Sequence, residues 1–422
     1  MLRSLLLDLR PLETRAFRHW WLGSALSMFG TQLTSFALLY YVWVRTHDAA
    51  LVGAVAVAEA VATIGAALFG GSLADRLDRH RVVLLNRSGQ LASSLALAGI
   101  VVVPTRATIP LVFVLVAVSS GFGALGAPAN RSFPALLLPP RHLAAGLALN
   151  RVAGQLSLLT GPLLAGAISA AWGVQVCFLI DAGTFAVALL SLLAVPALPP
   201  GDDGATGPRL RGIRGGVRLV VGSPVLLGAF ATDIAATVLA MPVALFPVIN
   251  DQEYGGSALT LGLFAPAIGL GGLVAATLSG RVTATARPGR LMLVSAAGWA
   301  AAIGCFGLGH VLWVGLGFLA IAGACDTVTV VSRTSIVQHA VPDSVRGGVN
   351  ALDYLVGVSG PQMGNFRAGL VASATSGATS AALGGLASLA AIAGLAAALP
   401  ALSQEPAHAP GSAEARQGRT RR

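Results

Sequence analysis

Apolar runs of membrane-crossing length recur along the whole chain. A helix crossing a bilayer needs about 20 mostly apolar residues. Such runs fall at about 22–44, 51–73, 82–103, 108–129, 146–170, 173–195, 224–248, 259–280, 290–309, 311–331, 349–371 and 378–399. The stretch LASLAAIAGLAAAL (386–399) is apolar on every face, whereas a membrane strand alternates polar and apolar positions. A helix also pairs all of its own backbone groups, as lipid demands. The pattern therefore predicts an all-α integral membrane protein with twelve transmembrane helices. The longest interruption, PALPPGDDGATGPRLRGIRGGVRLVVGS (196–223), is rich in Pro, Gly and charge and reads as a linker. It divides the spans six and six. The expected organisation is a six-helix bundle over 1–195, a cytoplasmic linker over 196–223, a second bundle over 224–399 and a disordered cytoplasmic tail over 400–422.

Composition supports this reading. Of 422 residues, 55% are hydrophobic and only 10% charged, against about 25% charged in a soluble domain. Mean hydropathy is +0.77. Disorder requires the opposite balance. The net charge is +10, and all 27 basic residues are Arg. In a soluble protein that excess would suggest nucleic acid; here its distribution points to topology instead. Arg76, Arg79, Arg81 and Arg87 follow the second span, Arg131, Arg141 and Arg151 surround the fourth loop, and Arg333 and Arg346 follow the tenth span. Arg45 and Arg106 fall in loops of the other side, and Arg367 lies within a span. Basic residues collect on the cytoplasmic side, so both termini are expected there, with an even number of crossings of a bacterial inner (plasma) membrane. Trp20 and Trp21 read as interfacial anchors. Cys177, Cys305 and Cys325 sit in predicted spans without metal-like spacing.

The two halves repeat. NRSFPALLLPPRHLAAG (130–146) aligns with SRTSIVQHAVPDSVRGG (332–348), placing Arg131 on Arg333, Pro140 on Pro342 and Gly146 on Gly348. Two pseudo-symmetric bundles enclosing a shared site are the architecture of alternating-access transporters.

Between the second and third spans runs GGSLADRLDRHRVVL (70–84). Glycines here allow close helix approach. Asp75, among Arg76, Arg79 and Arg81, is suited to pair with Arg or with a helix N-terminus. The string resembles the major facilitator superfamily signature G-x-L-A-D-R-x-G-R-R-x-x-L, with Gly71, Leu73, Ala74, Asp75, Arg76 and Arg79 matching and Asp78 in place of Gly. The counterpart SGRVTATARPGRLML (279–293) keeps Gly280, Arg281 and Arg290 but has no Asp. SLLLDLRPLETRAFRHWWLG (4–23), ADRLDR (74–79) and FLIDAGTFAVALL (178–190) are similar to the enterobactin-exporter and macrolide-efflux-like branch. That resemblance implies the major facilitator fold and export of small amphipathic molecules, drugs or siderophores, against protons. Gly161, Pro162 and Gly166 resemble part of the antiporter signature G-x8-G-x3-G-P-x2-G-G, with Ala148, Ser157 and Ala165 where glycines belong. An ordinary Gly-Pro kink explains them equally well.

Charges inside a bilayer are costly and usually have a use. Glu59, Asp233 and Asp181 lie at mid-depth and are the candidates for proton coupling. Asp326 and Arg333, seven apart on one helix face, read as an internal pair. Asp353 reads as a helix N-terminal acid, and Arg367 as a snorkelling side chain. Phe29, Gln32, Ser35 and Phe36 in the first span, with Asn365 in the eleventh, are candidates for a substrate cavity. Without Lys, a Walker lysine is impossible. The seven histidines form no H-x-x-x-H pair, and no G-x-S-x-G elbow occurs. No enzyme, cofactor or metal is expected. The partners are a small molecule, protons and lipid, with a monomer as the working unit. An importer of the same fold, a channel and a membrane enzyme remain as alternatives.

Overall fold

The computed structural model describes residues 8–74, 79–103, 105–195, 210–277, 285, 287–342 and 345–404, except for the side chains of 67–74, 79 and 210–213. Every described element is helical. The first half contains α1 (Arg15–Thr46), α2 (Ala49–Ala74), α3 (Arg79–Val102), α4 (Thr108–Leu137), α5 (Pro140–Trp172) and α6 (Val174–Leu193). After the short α7 (Leu210–Gly222) come α8 (Pro224–Ala240), α9 (Phe246–Glu253), α10 (Ala258–Leu261) and α11 (Phe264–Thr277). The chain continues through α12 (Pro288–Leu308), α13 (Leu312–Ala340), α14 (Arg346–Ala374), α15 (Gly377–Ala398) and α16 (Pro400–Gln404).

Ten of the described helical runs are long and apolar enough to cross a membrane. α3 and α14, of 24 and 29 residues, have the length as well, which brings the crossings to twelve. Both carry more polar side chains because these face other helices: Asn86, Arg87, Ser93 and Ser94 in α3 and Asn365 in α14 are buried. Large apolar side chains such as Leu95, Val114, Leu190, Val274 and Leu386 point outward instead, as a surface in contact with lipid tails requires.

Proline breaks the seventh crossing into two pieces. α8 stops at Ala240, and Met241 is extended at φ −78° and ψ 122°. Pro242 has no N–H, and the residue before a proline is steered away from helix. A 3-10 turn over Val243–Leu245 then leads into α9. The Asn365 side-chain carbonyl accepts the freed Ala244 N–H at 3.1 Å. The eighth crossing likewise starts as the single turn α10, capped by Ser257 accepting from Leu259 N–H at 3.2 Å. Between α5 and α6 the reversal needs one residue, Gly173, at φ +87°, a conformation that a Cβ strains.

α1 packs on α5 and α6, and α3 on α4 and α6; in the second half α12 packs on α13 and α15, and α8 on α14 and α15. The halves meet where α2 lies on α14 and where α5 lies on α10 and α11. One apolar core runs through both halves and includes an edge-to-face group of Phe246, Phe264 and Phe306, with centroids 5.4–6.0 Å apart. A second core, around Phe17, Trp20 and Phe133, closes one end of the first bundle. Trp20 is therefore no interfacial anchor: it stacks on Phe133 and donates its indole N–H to Asn130 Oδ1 at 3.1 Å.

Parts of the expected linker and tail are helical. The end of the 196–223 linker is ordered as α7, where Gly216 and Val220, one turn apart, are buried and Arg214 and Arg218 are exposed. Gly216 lets this helix lie directly on the Gly348 backbone of α14. The expected disordered tail begins with a helix, since α16 tucks Leu402 between Gly228 and Gly289. Residues 196–209 and 405–422 lie outside the described residues.

Candidate functional site

The crossings alternate in direction, so the end of α1, the starts of α2 and α10 and the ends of α5 and α14 share one face, called distal here. At that face the halves touch through glycine. A Cβ on Gly369 would lie 2.4 Å from the Ala49 carbonyl oxygen and 2.9 Å from Gly53 Cα; one on Gly166 would lie 2.4 Å from the Ala258 oxygen and 3.1 Å from Gly262 Cα. Backbone contacts this close exist only because side chains are missing.

On the proximal side of these contacts lies a cavity of about 520 Å³. The first half contributes Gln32, Ser35 and Phe36 of α1 and Pro162 of α5. Gln32 reaches the cavity past Gly161, whose missing side chain leaves it room. The second half contributes apolar groups such as Ile268 and Phe246, together with Trp299, Asp233, Asp326 and Arg333. The Trp299 indole N–H is buried without a partner.

Charge is concentrated on the second half's wall. Arg333 of α13 donates through Nη1 to Asp233 Oδ2 of α8 at 2.9 Å, and the same nitrogen forms an ion pair with Asp353 Oδ1 of α14 at 3.1 Å. One guanidinium nitrogen thus joins three helices. Its Nε is buried and unpartnered. Asp326 lines the same cavity and lies within electrostatic reach of Arg333, but the contacts within 4 Å of the guanidinium come from the carboxylates of other helices. Seven residues of helix separate the two by about 10 Å, while α8 and α14 bring carboxylates alongside. Asp353, expected as a helix-terminal acid, is one of those partners.

The other carboxylates lie elsewhere. Glu59 of α2 accepts from Gln362 Nε2 of α14 at 3.1 Å, a bond between the two halves. Asp181 is sealed inside the first bundle at 1% exposure. Its Oδ2 accepts from Thr34 and Ser94, each at 2.7 Å, and its Oδ1 has no partner. Neither Glu59 nor Asp181 lines the cavity. Phe29 packs against the core, and Asn365 braces the 3-10 turn; neither is a lining residue.

Among the loop residues, Arg81 is exposed and Arg79 opens α3. Gly71 belongs to α2, while Asp75 and Arg76 lie outside the described residues. Arg131, the counterpart of Arg333 in the repeat, sits over the Tyr354 ring of the other half at 5.4 Å. The pseudo-equivalent arginines thus occupy different settings, one exposed between halves and one buried in an ion pair.

Sequence reasoning counted Arg87 with the cytoplasmic arginines, whereas the fold buries it, and it overlooked the facing glycines Gly53 and Gly262. It also missed Trp299. A basic residue five positions past the start of an apolar run is a usable signal for Arg87; the glycine pairing depends on which helices meet and leaves no local trace.

Comparison with known proteins identifies the family and the fold. A family model described as Major Facilitator Superfamily matches residues 20–364. The chain is 30% identical over 385 residues to the enterobactin exporter EntS of Shigella boydii serotype 4 (strain Sb227), covering 90% of this chain and 92% of that one. It is equally identical, with the same coverage, to EntS of Escherichia coli O139:H28 (strain E24377A / ETEC). Among solved structures it is similar to the nucleoside transporter NupG, with TM-score 0.74, 14% identity and coverage of 92% and 99% of the two chains. A bacterial homologue of the iron transporter ferroportin in an inward-facing state gives TM-score 0.69, 19% identity and coverage of 93% and 99%.

Proposed function

Because the chain belongs to the major facilitator superfamily, we propose that it exports a small amphipathic organic molecule, of drug or siderophore class, by alternating access in exchange for protons. It is a multi-pass membrane transporter of a small-molecule substrate and not an enzyme. The printed function of its EntS relatives supports outward transport of a siderophore-like molecule. The Arg distribution supports placing the proximal face, with both termini, in the cytoplasm. On that assignment the described conformation is open inward and sealed outward by the glycine contacts.

The observation that carries the proposal is the charge on the cavity wall: Asp233, Asp326 and Arg333 line it, and behind them Asp353 shares the Arg333 guanidinium with Asp233. Three carboxylates around one cation leave room for a proton. With Asp233 ionised, the wall is negative and held together by Arg333. Protonation of Asp233 removes one of the two ion pairs of Nη1 and reduces the negative charge facing the guest. Proton and guest then compete for one wall, which is the requirement for exchange. The guest's apolar body lies against Phe36, Phe246 and Ile268, while Gln32, Trp299 and Arg333 offer donors to its polar end. A volume of about 520 Å³ suits a drug-sized molecule. Glu59 remains a second coupling candidate through its bond across the halves, and Asp181, without access to the cavity, a weaker one. In the major facilitator motif, Asp75 with Arg76 and Arg79 is the proposed cytoplasmic gate.

Accumulation profiling tests the reading. Cells expressing the chain, and cells expressing Asp233→Asn, are loaded with a panel of lipophilic drugs and iron chelators. At least one compound is expected to be retained less by the first cells than by the second. Equal retention of every compound at equal membrane expression contradicts it.

A further inference from the structure

The first bundle buries a cation that transport does not explain. Arg87 of α3 is 8% exposed, and it pairs with no carboxylate among the described residues. Its Nη1 donates to Ser27 Oγ at 2.7 Å, and its Nη2 reaches Ser24 Oγ only at 3.4 Å. Its Cζ lies 5.9 Å from the centre of the Phe185 ring. Hydroxyl dipoles and a ring face solvate a guanidinium but do not neutralise it. A buried charge without a counter-charge is costly, and among the described residues this arrangement has no negative partner.

A cavity of about 10 Å³ adjoins the guanidinium, room for a single water-sized sphere. Its lining includes Arg87, Ser24, Asn130 and Trp20, with apolar Val83 and Leu192. The polar groups are donors. Asn130 Oδ1 is occupied by the Trp20 indole N–H at 3.1 Å, which leaves the amide N–H groups of Asn130 free. Ser24 Oγ accepts from Arg87 and keeps its own proton. A small pocket of donors beside an unneutralised cation selects an anion. Its enclosed volume of about 10 Å³ favours a monatomic ion over bulky oxyanions. Arg18 and Arg81, exposed near the same end of the bundle, raise the local concentration of anions.

We infer that this pocket binds one small monovalent anion of chloride size, held by Arg87, Ser24 and Asn130. The ion supplies the charge that Arg87 lacks and ties α1, α3 and α4 together beside α6, stiffening the lobe that moves as a unit. The inference does not depend on the transported substrate.

The purified full-length protein is melted in detergent at constant ionic strength, with chloride raised from about 5 to 150 mM against gluconate. A ligand specific to the folded state shifts the midpoint upward, here by roughly 1–2 °C. Bromide is expected to replace chloride and to give an anomalous scattering peak beside Arg87. Ser24→Ala retains the guanidinium and is expected to raise the chloride concentration needed for half the shift; Arg87→Met is expected to abolish the dependence. Identical midpoints in chloride and gluconate, or a bromide-soaked crystal with no peak at this position, overturn the inference and leave the pocket to water.

Discussion

Adding one methyl group at Gly166 tests how the halves close. In Gly166→Ala the new Cβ lies 2.4 Å from the Ala258 carbonyl oxygen and 3.1 Å from Gly262 Cα. Ordinary contact begins at 3.4 Å, so the shortfall against the oxygen is 3.4 − 2.4 = 1.0 Å. Both obstructing atoms are backbone, and no side chain can rotate out of the way. α5 and α10 must therefore separate at the distal face. Overpacking of this kind costs about 1–3 kcal/mol. Only the conformer with this face closed bears that cost, so the population shifts toward the opposite one by roughly 5- to 150-fold, at tenfold per 1.4 kcal/mol. The assay places Ser35→Cys in the cavity wall after replacing Cys177, Cys305 and Cys325. An impermeant thiol reagent is then added on the extracellular side of intact cells. Gly166→Ala is expected to raise the labelling rate at least about fivefold. Gly183→Ala, where nothing lies within 4 Å of the added Cβ, is the control and is expected to change nothing. An unaltered rate in Gly166→Ala at equal expression refutes the argument that these glycines close the distal face.

Other perturbations give separate checks. Asp233→Asn removes the 2.9 Å partner of Arg333 but leaves Asp353 at 3.1 Å, so unfolding is expected to become easier by about 1–3 kcal/mol; the double variant with Arg333→Met is expected to recover part of this in denaturation of the purified protein. Glu59→Gln keeps a hydrogen-bonding group opposite Gln362 while removing a titratable one, so it is expected to alter the pH profile of transport while preserving the melting temperature; an unchanged profile removes Glu59 from the coupling candidates. Tyr254, whose hydroxyl donates to the Gly309 carbonyl at 2.7 Å, is expected to lose about 1 kcal/mol of stability as Phe, readable as a lower melting midpoint. The side-chain bond from Arg10 holds the Asp8 carboxyl down at about 2, from 3.8. The Asp8–Arg10 turn is therefore fully present above pH 3.8 and lost as the pH falls through about 2, which carboxyl chemical shifts on titration would report.

The crossings were legible because apolar length is a local property that lipid imposes on each segment separately. The two halves were legible through the repeated Arg-and-Pro spacing around Arg131 and Arg333. Their functional difference was not: Arg333 is buried because Asp233 and Asp353, 100 and 20 residues away, are delivered by other helices, whereas Arg131 meets Tyr354 at an exposed contact. The break at Met241–Pro242 was written in Pro242, yet the apolar run around it conceals the stop. Gln32, Ser35 and Phe36 were placed on the cavity by their depth in the first span. Asn365 has similar character but serves the backbone of a neighbouring segment, a use that only the bend at Pro242 creates. Arg333 extended the count of loop arginines because its helix continues past the apolar run to Ala340 and buries a position that hydropathy assigns to solvent; Arg87 was counted with them although it lies inside the third apolar run.

The most direct measurement uses everted membrane vesicles, which on the proposed orientation turn the proximal face outward, with a compound identified by the accumulation profile supplied in the outer medium. With the vesicle interior made acidic, uptake into the lumen is expected to exceed equilibration and to collapse when the proton gradient is dissipated, and Asp233→Asn is expected to lose this dependence. Uptake that only equilibrates, or accumulation that is indifferent to the gradient, contradicts exchange of a guest for protons across the cavity between the halves.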